Sequence, residues 1–212
     1  KIWNASRYVI MNLGEMSKPE LPDEGEWDLA DRWILSRLNK TVAQVTEQFD
    51  KFNFGEAGRA LYDFIWNDFC DWYIEMSKEI LTGDDEKAKA NTRNILAYVL
   101  DQTLRLLHPI MPFVTEKIWL TMPHDGKSLV TAKYPVVHDE FENAQAESQM
   151  ANLIELIKAV RNIRAEANAP MSSEIDVLIK TDNHELANVF ETNRDYIDRF
   201  VHPKELTIGA DV

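Results

Sequence analysis

The phrase VRNIRAE at residues 160–166 places two guanidinium groups and an amide within four positions, on Arg161, Asn162 and Arg164. Just before it, Met150, Leu153, Ile154 and Ile157 recur at helical spacing, and Arg161, Arg164 and Asn168 continue the same stripe. A face that begins apolar therefore ends polar. Guanidinium groups aimed along a core direction have two outlets. They meet buried carboxylates, for which Asp71 and Glu75 are the candidates, or they emerge at the rim of the fold, where their planar forks can bind or stack on a ligand. A second polar group opens the chain: Lys1, Asn4, Arg7 and Tyr8 fall on the outer side of a helix whose inward stripe reads Ile2, Trp3, Ile10 and Leu13.

Covalent and metal chemistry find no comparable grouping. Cys70 is the single cysteine and sits in an apolar helical stretch without an adjacent base. His108 precedes a proline at a helix end and reads as a cap or core histidine, while His124, His138, His184 and His202 lack ligand spacing. No phosphate-cradling glycine loop, dinucleotide fingerprint, nucleophile elbow or H-E-x-x-H pair occurs. The residues alone define no active site.

The elements that must position these groups are mostly helices. Stripes at helical spacing dominate the first 168 residues and predict helices near 1–13, 27–51, 55–81, 86–108, 113–122 and 145–168. Pro109 ends the fourth, and Pro112 suits the first turn of the next, where its missing N–H costs nothing. A long extended connection, PHDGKSLVTAKYPVVHDE, follows. After Pro170, SEIDVLIK and ELTIGA read as strands, with helical turns from about 183 to 199 between them. The expected fold is mainly α, a helical bundle over 1–169 followed by a small β-α-β subdomain over 170–212.

Within the third helix, a wheel places Tyr62, Ile65, Trp66, Phe69, Trp72, Tyr73, Met76 and Ile80 on one broad face, expected to be core. Asp63, Asp68, Asp71 and Glu75 share the opposite face with Lys78, a surface expected to repel phosphate. Phe64 is expected to point out among those acids. Indole N–H and phenol O–H groups in such a core need partners.

Composition narrows the partners. With 212 residues the chain can bury a real core, and no apolar run has the length of a membrane span. A lone cysteine fits a reducing, cytosolic setting. Lys and Arg number 23 against 36 Asp and Glu, a net charge of −13, so any nucleic-acid contact must be local rather than a matter of bulk electrostatics. The chain begins at Lys1 in helical register with no capping residue ahead of it, as expected for a piece of a longer protein.

Five phrases, KIWNASRY, ADRWILSRLN, FIWNDFCDWYIEMSKEIL, LRLLHPIMPFVTEKIWLTMP and VRNIRAE, together resemble the anticodon-binding domain of valyl-tRNA synthetases. The likeness runs in order from residue 1 to about 170. DWYIE followed by LHPIMPFVTEKIW is similar to the valine enzymes rather than to their isoleucine and leucine relatives, and the remaining segment resembles the small α/β piece that follows the bundle.

The resemblance implies a parent class I synthetase that uses ATP and magnesium to attach valine to its tRNA. Catalytic residues, cofactors and metals are expected outside this stretch. It also implies two partners, the anticodon loop and stem of a valine tRNA and the catalytic domain of the same chain, in the cytoplasm and away from membranes. Matching phrase to phrase, Arg161, Asn162, Arg164, Asn4 and Arg7 are the implied RNA-binding residues, with Lys1 and Trp3 beside them and Trp66 and Trp72 as support. Unpaired bases stack on aromatic or guanidinium planes for about 1–3 kcal/mol each, so a few such residues suffice. The acidic segment VVHDEFENAQAE departs from a phosphate-contacting role. Two other readings stay open: the homologous domain of an isoleucine enzyme, and a helical protein-interaction module whose acidic faces dock basic partners.

Overall fold

A computed structural model describes residues 1–170 and 173–210 and divides the chain into two compact units, Lys1–Ala144 and Gln145–Val212. The division falls after the first residue of the last long helix, whereas the residue pattern changes from helical to strand-like at 169/170.

The first unit is built from α1 (Ile2–Asn12), α2 (Leu29–Asp50), α3 (Phe54–Asp63), a π-helical segment (Phe64–Tyr73), α4 (Ile74–Thr82), α5 (Glu86–Leu107) and α6 (Pro112–Trp119). Local chemistry sets their ends. Asp28 and Asp31 exchange side-chain and backbone hydrogen bonds in a capping box at the start of α2. The Asp85 carboxylate accepts from the Lys87 and Ala88 N–H groups at the start of α5. Pro112 opens α6 as its spacing implies.

The expected helix over 55–81 is continuous but not α throughout. Over Phe64–Tyr73 the ladder shifts to i→i+5, and the Ile74 N–H donates to the Phe69 carbonyl. More residues then fit each turn, and the buried positions move to five-residue spacing: Phe64, Phe69 and Ile74 on one row, Ile65 and Cys70 on the next. Two expectations fall as a result. Phe64 is 1% exposed instead of pointing out, and Tyr62 is 52% exposed instead of lying in the core. Trp72, Tyr73 and Met76 are buried as expected, while Trp66 and Ile80 are half-buried. The Cys70 thiol is buried, and that desolvation pushes it up to about 11, leaving it unreactive.

Two buried carboxylates tie the aromatic core together. The Tyr73 hydroxyl donates to Asp31 at 2.7 Å, joining the π segment to the start of α2. Asp101 on α5 receives the Trp119 indole N–H at 2.7 Å and two bonds from Arg105, whose Nη1 also reaches the Lys133 carbonyl. His108 takes the structural role expected of it, its Nδ1 lying 2.8 Å from the Thr115 hydroxyl.

The second unit holds α7 (Ala144–Glu166, its first residue the last of the preceding unit), β1 (Asp176–Lys180), α8 (His184–Thr192), α9 (Arg194–Val201) and β2 (Glu205–Gly209). β1 and β2 pair in parallel with Val177 opposite Leu206 and Ile179 opposite Ile208. Parallel pairing demands a crossover connection, and α8 and α9 supply it in place of a single helical stretch. Val177, Ile179, Leu206, Val189, Phe190, Ile197, Phe200 and Val201 are all buried in this unit.

Two stability measurements follow. Phe64→Ala should cost about 3–5 kcal/mol in denaturant unfolding, as for a buried aromatic ring, whereas Tyr62→Ala should cost less than about 1.5 kcal/mol, the worth of an aromatic pair. Reversed values would restore the unbroken α-helical register.

Burial, reinforced by the neighbouring Asp28 charge, raises the Asp31 carboxyl from 3.8 to about 8 against the opposing Tyr73 hydrogen bond. The folded state then holds a proton that the unfolded chain releases near pH 4. The stability from that proton is full below the ordinary carboxylate value and is lost as pH climbs toward 8. Asp31→Asn removes the titration, so its stability relative to the parent should improve between pH 5 and pH 8 in urea unfolding. A constant difference would mean that Asp31 titrates alike in both states.

Candidate nucleic-acid interface

α1 buries Ile2, Ala5, Ser6 and Val9, with Leu13 just beyond its end. These positions define one stripe, and everything opposite is left open. Trp3 lies on the open side at 49% exposure, a correction to its expected inward place, because the stripe runs through Ala5 and Ser6 rather than through position 3. Asn4 and Arg7 are exposed as expected, and neither side chain has a hydrogen-bond or ionic partner among the described residues. Met11, 76% exposed, extends the row that Trp3 and Arg7 form at four-residue spacing. An indole, an amide, a guanidinium and a thioether thus share one solvent-facing strip.

Lys1 is less free. Its ammonium pairs with the Asp71 carboxylate, lies 3.5 Å from the Trp66 carbonyl oxygen and sits 5.3 Å from the centroid of the Trp66 ring. Asp71, offered above as a partner for the α7 arginines, is thereby engaged, and Glu75 likewise pairs with Lys78 at 2.6 Å.

On α7 the two arginines diverge. Arg164 is 4% exposed and meets no carboxylate among the described residues; it docks on main-chain carbonyls. Its Nη1 donates to the Pro170 carbonyl at 2.9 Å, and its Nη2 reaches those of Ser173, Val201 and His202 at 3.2–3.3 Å. Val201 ends α9, and His202 follows it in the left-handed conformation with φ of 50°. The carbonyls at a helix C-terminus are unsatisfied and carry the negative end of its dipole, so a guanidinium is well placed there. The expectation of an exposed Arg164 at the rim is therefore corrected: it is a clamp within its unit.

Arg161, one turn earlier, is exposed. Its Nε donates to the Phe200 carbonyl at 3.2 Å, its guanidinium lies 5.1 Å from the Phe200 ring centroid, and its terminal nitrogens have no partner among the described residues. Asn162 is exposed beside it, without a partner among the described residues. The arrangement is a guanidinium held by the carbonyl and ring of Phe200 and left with donors to spare, next to an exposed amide. Sequence reasoning missed Phe200 and the α9 carbonyls that set this geometry, since a backbone acceptor leaves no signature in the sequence.

Among the described residues no group of three His, Cys, Asp or Glu side chains is arranged to hold a metal ion, and no helix is long and apolar enough to cross a membrane. What the geometry offers is recognition by planar and amide groups.

The sequence profile of one family, the anticodon-binding domain of tRNA ligase, matches residues 31–179, and the chain belongs to that family. It is similar along its whole length to the valine-tRNA ligase of Lactiplantibacillus plantarum, at 76% identity, and to that of Lactobacillus johnsonii, at 62%. The valine-tRNA ligase of Bacillus cereus is 54% identical over the same 212 residues. The chain spans about a quarter, 24%, of the length of each of these relatives.

Arg164→Ala should destabilise the protein by on the order of 3 kcal/mol, since it strands carbonyls that a charged donor satisfies. Arg164→Lys should recover little, because one ammonium cannot span the same four acceptors. Arg161→Ala should cost about 1 kcal/mol or less, the worth of an exposed cation–π contact. Equal losses at 161 and 164 in thermal melts would erase the distinction between clamp and free guanidinium.

Proposed function

We propose that this chain is the part of a valine-tRNA ligase that reads the anticodon loop of its tRNA. In the whole ligase, valine activation with ATP and magnesium takes place outside this chain. This chain holds the loop and adjoining stem of a valine tRNA and meets the catalytic domain of the same protein, in the cytoplasm. Family membership supports RNA recognition, and the valine ligases among the relatives favour valine over isoleucine.

The observation that carries the reading is the set of exposed recognition groups in an acidic protein: Trp3, Asn4 and Arg7 on α1, and on α7 Asn162 and Arg161, whose terminal nitrogens have no partner among the described residues. Lys1 supports the α1 group from its place between Asp71 and Trp66, and Arg164 positions the α7 end from within its own unit. Single-stranded loops are read by stacking on planar groups and by hydrogen bonds to base edges, for which these side chains are suited.

In the full-length ligase, Arg161→Ala should lower kcat/KM for tRNA charging by about fivefold to a hundredfold, the worth of one stacking or pairing contact, and leave valine-dependent ATP–pyrophosphate exchange unchanged. A matching loss in both assays would sink the assignment of Arg161 to the anticodon.

A further inference from the structure

The exposed face of α3 carries a feature that the residues above do not include. Tyr62 stacks on Trp66 with ring centroids 4.5 Å apart and planes 14° from parallel, yet remains 52% exposed. Helical side chains lean toward the N-terminus, so Trp66 backs the Tyr62 ring from the following turn, and Tyr62 leans over the preceding turn, where position 58 is glycine. A Cβ built on Gly58 meets no atom within 4 Å, so packing does not explain this glycine. Inside a helix it is destabilising relative to alanine. It places no side chain in the turn over which Tyr62 leans.

Electrostatics around the ring are milder than the residue types imply. Asp71 is paired with Lys1, whose ammonium also lies near the Trp66 ring. Asp68 accepts from Arg37 at 2.8 Å, and Glu56 lies 3.8 Å from Arg59. Only Asp63 beside the ring carries no ion pair among the described residues. A polyanion can therefore approach. The flanking side chains Arg59, Asp63 and Asn67 are exposed and polar, which suits a single flat, polar-edged group better than an apolar protein surface.

We propose that the face of Tyr62 turned toward Gly58, backed by Trp66, is a stacking platform for one unpaired base of the tRNA loop that this chain reads. The inference rests on the anticodon-reading function above and adds a binding residue on a different helix.

The test uses the full-length ligase and valine tRNA transcripts carrying a fluorescent purine analogue at one loop position at a time. For one position, binding should quench the analogue, and the quenching should survive Tyr62→Phe and vanish in Tyr62→Leu. The leucine variant should bind tRNA about fivefold to a hundredfold more weakly, as for loss of one base–aromatic stack, with valine-dependent ATP–pyrophosphate exchange unchanged. Gly58→Gln should melt at or above the parent temperature yet weaken tRNA binding, a combination that a purely structural role would not produce.

Parental affinity and quenching in Tyr62→Leu would overturn the platform. So would an equal loss of valine activation, which would mean that the ring docks against protein. Should the parent bind an anticodon-replaced tRNA as tightly as valine tRNA, anticodon reading itself fails along with the platform. Intact anticodon discrimination with no effect at Tyr62 rejects the platform alone.

Discussion

The turn geometry of Phe64–Tyr73 decides which aromatic side chains the first unit keeps for itself. An i→i+5 ladder is rare because its backbone geometry is less favourable than that of an α-helix, so tertiary contacts must hold it in place. Here they are visible. Phe64, Phe69 and Ile74 are buried five residues apart, and the hydroxyl of Tyr73, the last residue of the segment, donates a hydrogen bond to the buried Asp31 at the head of α2. In α register the inward row would drift around the helix, drawing Tyr62 toward the core and pushing Phe64 toward water. The π segment holds Phe64 inside, leaves Tyr62 outside and sets Trp66 between them, half-buried. Core packing and surface aromatics are thus two results of one constraint.

A guanidinium plays the matching part in the second unit. Arg164 replaces the ion pair that a buried charge usually demands with four carbonyl acceptors, two of them at the end of α9. Its bonds reach 37 and 38 residues along the chain, so the end of α7 and the end of α9 are fixed relative to each other. Arg161, held one turn away by the carbonyl and ring of Phe200, inherits that rigidity without being buried. Preorganisation of this kind lowers the side-chain entropy lost on binding.

Much of this was legible in the sequence, and the gaps have identifiable causes. The helices over the first 168 residues and both strands lie close to where hydrophobic periodicity puts them, because burying one face is what creates the periodicity. Tyr62 and Phe64 were misplaced because a wheel at 3.6 residues per turn has no place for a π register. A large apolar indole suggests an inward Trp3, whereas the packed stripe of α1 uses the small Ala5 and Ser6. Arg161 and Arg164 were recognised as unusual, but which one is buried depends on main-chain carbonyls supplied from residues 170–202. The exposure of Asn4, Arg7, Arg161 and Asn162 agrees with the sequence reading; among the described residues only Phe200 engages any of them, through the Nε and the guanidinium plane of Arg161.

The formal charge of −13 looks adverse for a reader of RNA, but charge acts where it is presented. Asp31 is largely neutralised by its own burial, and Asp101 is spent on Arg105 and Trp119. Asp68, Asp71 and Glu75 are each matched by a cation, while Arg7 and the terminal nitrogens of Arg161 have no partner among the described residues. The remaining acids still repel phosphate generally, which lowers affinity for RNA that offers nothing but backbone. On the proposed reading, binding depends on contacts that only an unstacked base can make: a ring face, a guanidinium plane, an amide edge. An acidic surface with a few open planar groups gives up nonspecific affinity and gains discrimination, because the repulsion is common to all RNA while the stacking is confined to a loop of suitable shape.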